Sequence, residues 1–267
     1  MDLILNNDNN KINSNQKLIL PTFLIGLVGI LVVLIYNSAF KKGKFTCKKY
    51  ILNTYLYILL TLVLMVLLNL SLDEEKVPPN IFFGQSNGLM GLLIGLFVTV
   101  GLLILLMLIS PKRVLIKHAV WLLFTCVLAV LAYPTYIITK ESNTVLKTLF
   151  GTIGILILFS VMAFWKPELI SLSWGTGLVF VLLAVIIFEF VNILFSIDKK
   201  GRIKYRRSKP LSYIVIVIFT LFILYDTKVI QVAAKKCKTS NVDYINQSLG
   251  IVLDVLNIFQ NIGNIQQ

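Results

Sequence analysis

The sequence predicts an all-α polytopic membrane protein, and three observations carry that prediction. Of its 267 residues, 57% are hydrophobic and only 14% charged, against roughly 25% charged in an ordinary soluble domain. One globule of this length cannot hide so much apolar surface, because a sphere needs a polar skin, so a soluble enzyme is excluded. The apolar residues are also gathered into eight runs, each about as long as the 20 residues a spanning helix needs. Finally, none of the runs alternates like a barrel strand. Lipid offers no partner to bare backbone groups, which leaves the helix as the spanning form.

Residues 1–17 form a polar, Asn-rich tail without an apolar signal core. Leu18–Phe40 follows and is too long for a signal h-region, so it reads as a span. Five lysines (Lys41, Lys42, Lys44, Lys48 and Lys49) fill the next linker. The second and third spans are Tyr50–Leu72 and Ser86–Ser110. Gly88, Gly91 and Gly95 share one face of the third, and Gly91–Gly95 is a GxxxG contact pair. Val114–Ile138, Val145–Trp165 and Ile170–Phe195 come next. A linker rich in positive charge (Lys199, Lys200, Arg202, Lys204, Arg206, Arg207 and Lys209) then leads to Leu211–Ile230 and Tyr244–Ile262. Short linkers make neighbouring helices antiparallel hairpins, and the whole one compact domain.

Lys and Arg number 25 against 12 Asp and Glu, a formal net charge of +13. With strict alternation, one side carries Lys41–Lys49, Lys112, Arg113, Lys117, Lys166 and the lysines from 228 to 238. The other carries the remaining cations, and the division is 13 to 12. The positive-inside rule therefore does not decide orientation. The basic loops 41–49 and 199–209 read as linkers beside lipid headgroups, suited to an anionic lipid or an acidic partner. Only Tyr205 interleaves them, so specific nucleic-acid recognition is not expected. Cys47, Cys126 and Cys237 form no pattern and are expected as free thiols. One histidine, His118, builds no metal site by itself. Without a nucleophile–base pair or metal cluster, neither enzymatic activity nor a cofactor is expected.

Three acids, Glu189, Asp226 and Asp254, fall inside apolar runs. A carboxylate at bilayer depth costs about 3 kcal/mol on insertion scales, so it faces a cavity or a partner. Asp226 lies ten residues before Lys236, and Asp254 eleven after Asp243, which suits the start of the last helix. At about 1.5 Å per residue the two acids stand at matching depth in an antiparallel hairpin. Asn246, Gly250, Asp254, Asn257, Asn261 and Asn264 then recur at helical spacing, a polar stripe that cannot face lipid. Interhelical hydrogen bonding and an ion or proton path both account for such a stripe. Glu189, with Asn192 and Ser196 on its face, is a secondary acid nearer the end of its span. Two carboxylates in one low-dielectric site do not easily ionise together, so the pair titrates in two steps. Ionised, and helped by Asn carbonyls and water, Asp226 and Asp254 are hard oxygen ligands for Ca²⁺.

Tyr225-Asp226-Thr227, Asp243-Tyr244-Ile245 and Leu253-Asp254-Val255-Leu256-Asn257-Ile258-Phe259 resemble the C-terminal signature of the Bax inhibitor family, the transmembrane BAX-inhibitor-motif proteins. Gly151–Leu156 and Phe164-Trp165-Lys166 are similar to that family's fourth helix, and the resemblance runs from residue 85 to 265. It implies a seven-helix bundle over residues 49–267, preceded here by an additional N-terminal helix and basic linker at 18–48. It further implies that Asp226 and Asp254 are a proton-sensing pair controlling Ca²⁺ leak. Lys112 or Arg113 would then stand where the family keeps a basic latch. The expected function is a pH-sensitive calcium leak channel, or a modulator of calcium stores and cell death, in an endoplasmic reticulum or Golgi-like membrane. The alternative is a scaffold that keeps the fold without transport, as in a virion internal membrane. Three departures stand out: the extra first helix, Lys228 where relatives often have Gln, and the lack of an acid between Lys76 and Glu141.

Overall fold

Each apolar run folds as a helix, and the breaks fall at polar turns. The computed structural model describes residues 2–78, 88–196, 208–238 and 242–266, with side chains from residue 19 onward and, in the third helix, from residue 93. The helices are α1 (Asp2–Ala39), α2 (Tyr50–Glu74), α3 (Gly88–Leu108), α4 (Val114–Glu141), α5 (Val145–Trp165), α6 (Trp174–Phe195), α7 (Lys209–Lys235) and α8 (Tyr244–Ile265). The protein is an all-α polytopic membrane protein, as its sequence predicts. A short antiparallel hairpin, β1 (Phe40–Lys41) and β2 (Lys44–Phe45), joins α1 to α2. Lys42 and Gly43 turn it, with φ of 52° and 73°. Positive φ at both central residues is what a two-residue hairpin of matching twist requires. α1 starts at Asp2, ahead of its apolar part Ile19–Ala39.

Burial arranges the helices in two shells. α8 lies at the centre, packed against α2, α4, α5 and α7. The other three helices are peripheral, with α1 leaning on α2, α3 on α4 and α6 on α7. Leu24, Leu27, Leu31, Ile35 and Ala39 supply the inward face of α1 at helical spacing. Gly95 and Leu106 are buried on α3, whereas the side chains at 88 and 91 lie outside the described residues. On α6 only Gly175 is buried, and Phe180, Ile187 and Phe188 face outward as lipid-facing side chains do.

Among the described residues eight helices answer the eight predicted runs, but their environments differ. Among the described residues, six are long and apolar enough to cross a membrane: Ile19–Ala39, α2, α4, α5, α6 and α7. The described apolar part of α3, Leu93–Leu108, is shorter. α8 is not among the six because its polar stripe dilutes its apolar face. No described residue of α8 is exposed, as expected of a stripe that hydrocarbon would leave unsatisfied.

Side-chain contacts place the helix ends alternately, in agreement with strict alternation. At one end, Lys117 of α4 meets Asp243 before α8, and Cys47 is bonded to Cys237. At the opposite end Lys140 of α4 bridges Asp73 of α2, and Thr148 of α5 bonds Gln266. Two expectations are corrected there. Cys47 and Cys237 are a disulfide, not free thiols, because the hairpin carries Cys47 beneath the end of α7. Cys126 alone is free. Lys117, counted above as a linker cation, is an α4 residue with a fully buried side chain.

Candidate functional site: the carboxylates at the α7–α8 seam

Successive helical residues point about 100° apart, so Tyr225, Asp226 and Thr227 reach three different helices. The Tyr225 ring lies on Gly175 of α6, where an added Cβ would stand 2.5 Å from it. Thr227 exchanges a hydrogen bond of 2.9 Å with the Tyr55 hydroxyl of α2. Asp226 turns to α8, its carboxyl seated on Gly250 so closely that an added Cβ would stand 2.9 Å from Cγ and nearer still to Oδ2. Only glycine leaves that space.

A second contact fixes the same register. Asn264 Nδ2 donates to Ser212 Oγ at 2.8 Å, and both Ser212–Asp226 and Gly250–Asn264 span fourteen residues. Asp254 is one turn beyond Gly250, on the same face of α8 as the seat of Asp226. It is 4% exposed and feels the Asp226 charge. Its Oδ2 is buried without a hydrogen-bond partner. An orphaned buried carboxylate oxygen is an exception that calls for a physical reason, such as an ion or a proton. Asp226 also acts electrostatically on Tyr55. Tyr55 carries no signal in the sequence, since it is one more residue in an apolar helix.

The rest of the stripe stays within the bundle. Asn257 and Asn261 donate to the carbonyls of Leu253 and Asn257, at 2.9 and 2.8 Å. Their side chains thereby bind their own helix. Asn246 Oδ1 is buried without a partner. Glu189 is half-buried on the α6 face that Leu182 and Val185 present to α7. Lys228 turns away from the pair and donates to the Pro167 carbonyl at 2.6 Å, because two residues along a helix is more than half a turn. Asp226 and Asp254 are the carboxylates available to a cation here; among the described residues no group of three or more His, Cys, Asp or Glu side chains forms.

At the N-terminal end of α8 the structure brings together residues that spacing does not reveal. Lys117 Nζ is bonded to Asp243 and donates to the carbonyls of Leu106 and Ile109 at 3.1 and 2.9 Å. Asp243 also caps α8, accepting from Asn246 N at 3.0 Å. Burial pushes the Asp243 carboxyl above its ordinary range, against the opposing pull of the Lys117 ammonium and the Asn246 amide. Beside them Tyr57 bonds His118 Nε2 at 2.8 Å. The Tyr244 hydroxyl donates to the Thr46 carbonyl and accepts from Asn53 Nδ2. Lys112 and Arg113 are exposed and in no ion pair among the described residues. The cation that ties α4 to α8 is Lys117, one helical turn further on.

The family model described as Inhibitor of apoptosis-promoting Bax1 matches residues 47–266, most of the chain. No curated protein matches. No solved structure matches either.

Proposed function

Because the chain belongs to the Bax inhibitor family, a family of membrane proteins in cell-death and calcium regulation, we propose that it is a pH-sensitive calcium leak channel of an internal store membrane, such as the endoplasmic reticulum or Golgi. The observation that carries this reading is the Asp226 carboxyl on Gly250, one turn from the orphaned oxygen of Asp254. A proton shared by two such carboxylates ties α7 to α8 through a hydrogen bond. Without it, two charges in a low dielectric repel and attract a hard cation. Ca²⁺ takes six to eight oxygens. The two carboxylates, the free Asn246 Oδ1 and water are oxygens of the right hardness along the stripe.

The test is Ca²⁺ flux through proteoliposomes containing the full chain, across a range of pH. The expected result is a leak whose pH dependence disappears in Asp226→Asn/Asp254→Asn. An unchanged profile in that variant removes the pair from the mechanism. No leak from the folded wild-type chain favours the scaffold reading instead.

A further inference from the structure

Between the hairpin and the α3–α4 turn lies a cleft of about 750 Å³. Lys41, Lys42 and Lys44 form one wall and Lys112 the other, with Phe45, Pro111, Val114 and Val242 below. None of the lining residues is acidic. The nearby carboxylate, Asp243, is engaged by Lys117 and the α8 cap. We propose that this cleft is a binding site for a multiply phosphorylated anion, presented at the membrane surface as a lipid headgroup.

The hairpin gathers its lysines against their own repulsion. Lys41 pairs directly with Lys44 in the ladder, and like charges placed opposite one another destabilise a strand pair. Lys42 adds a third cation in a left-handed conformation, φ 52°, that side chains other than glycine and asparagine seldom adopt. The fourth cation comes from a separate element, the turn before α4. Apolar contacts hold this arrangement: the Phe40 and Phe45 rings meet tilted by 31° with centres 4.8 Å apart, and Phe45 meets Tyr244 edge-on at 5.2 Å. The disulfide from Cys47 to Cys237 anchors the end of the hairpin linker. An apolar-backed cluster of four cations, in no ion pair among the described residues, complements phosphate groups, which bring both charge and acceptor oxygens.

The position favours a lipid source. Leu115, next to the lining residue Val114, is 84% exposed, and Leu108, at the end of α3 before the turn, and Tyr36, near the end of α1, are exposed as well. Such apolar and aromatic side chains belong in acyl chains and at the interface, which sets the lysines at headgroup level. The hairpin wall of the site lies outside the family-matched segment, since it precedes residue 47, whereas Lys112 lies within it.

Binding of dioctanoyl phosphatidylinositol 4,5-bisphosphate to the purified full chain in detergent tests the site, with soluble inositol trisphosphate as a second probe. Lys44→Gln and Lys112→Gln should each weaken lipid binding about fivefold, the share of one cation at an anionic surface. Lys235→Gln/Lys238→Gln, on the same side but outside the cleft, should change it less than about twofold. Much weaker binding of the soluble probe assigns the ligand to the membrane; equal binding assigns it to a free phosphate compound, with the same lysines responsible. Equal losses in the cleft and control variants, or no binding by the wild-type chain, overturn the proposal. Retention of the Cys47–Cys237 bond and an unchanged melting temperature confirm that each variant is folded.

Discussion

The carboxyl of Asp226 rests on the backbone of Gly250, on the α8 face that carries Asp254 one turn later. A helix pair can bring an acid this close only where the partner lacks a Cβ. Gly250→Ala should therefore displace Asp226 and cost about 1–3 kcal/mol, the usual range for overpacking. Gly154→Ala on α5 meets nothing within 4 Å and should be neutral or slightly stabilising. A lower melting temperature for the first variant only, with an altered Ca²⁺ leak, is the expected pattern.

Lys117 is fully buried against Asp243, which is 17% exposed, so removing the ammonium takes away the carboxylate's neutralising charge and leaves it the Asn246 amide. Lys117→Met should cost about 3–5 kcal/mol, and Lys117→Met/Asp243→Asn should recover much of that loss. Thermal unfolding in detergent measures both. If the double variant is no more stable than Lys117→Met, the two residues are not coupled.

The same aspartate makes a pH prediction. Folding raises the Asp243 carboxyl above its ordinary value, so the folded state holds its proton to higher pH than the unfolded state. The associated stability is complete below the ordinary carboxylate range and is lost as pH rises through the raised value. Subtracting the stability-versus-pH curve of Asp243→Asn from the wild-type curve should leave a difference with that slope.

The disulfide closes a segment of 190 residues. Cys47→Ser/Cys237→Ser should lower stability by roughly 2–4 kcal/mol. The wild-type chain should also migrate faster on a gel without reductant than with it. Identical mobility under both conditions contradicts the bond.

By contrast, the Asp73–Lys140 bridge spans α2 and α4 where the Lys140 side chain is 53% exposed. Asp73→Asn should cost less than about 1 kcal/mol, because water screens such a pair and tethering it costs side-chain entropy. Its melting temperature should be the least changed of the charge variants.

Much of the molecule is legible from local pattern. Eight runs of suitable length specify the helices, and one polar face in Tyr244–Ile262 specifies a helix that cannot turn that face to lipid. Asp226 and Asp254 stand out because acids in apolar runs are rare, and counting from the turn brings them to similar depth. Asp243 is recognisable as a helix start. These features depend on neighbours within a few turns, where helical spacing relates sequence to direction.

Residues without such local signatures were left to the tertiary fold. Cys47 and Cys237 look unpatterned until the hairpin folds beneath α7. Lys117 looks like one more linker cation until α4 carries it to Asp243, 126 residues away. Lys112 and Arg113, nearer the turn, remain exposed and line or flank a cleft. The opening observation, much apolar residue and little charge, determined that the chain lives in a membrane as helices. Which charges are buried, and against what, was decided by packing, because contact between distant segments depends on how whole helices dock and not on spacing along any one of them.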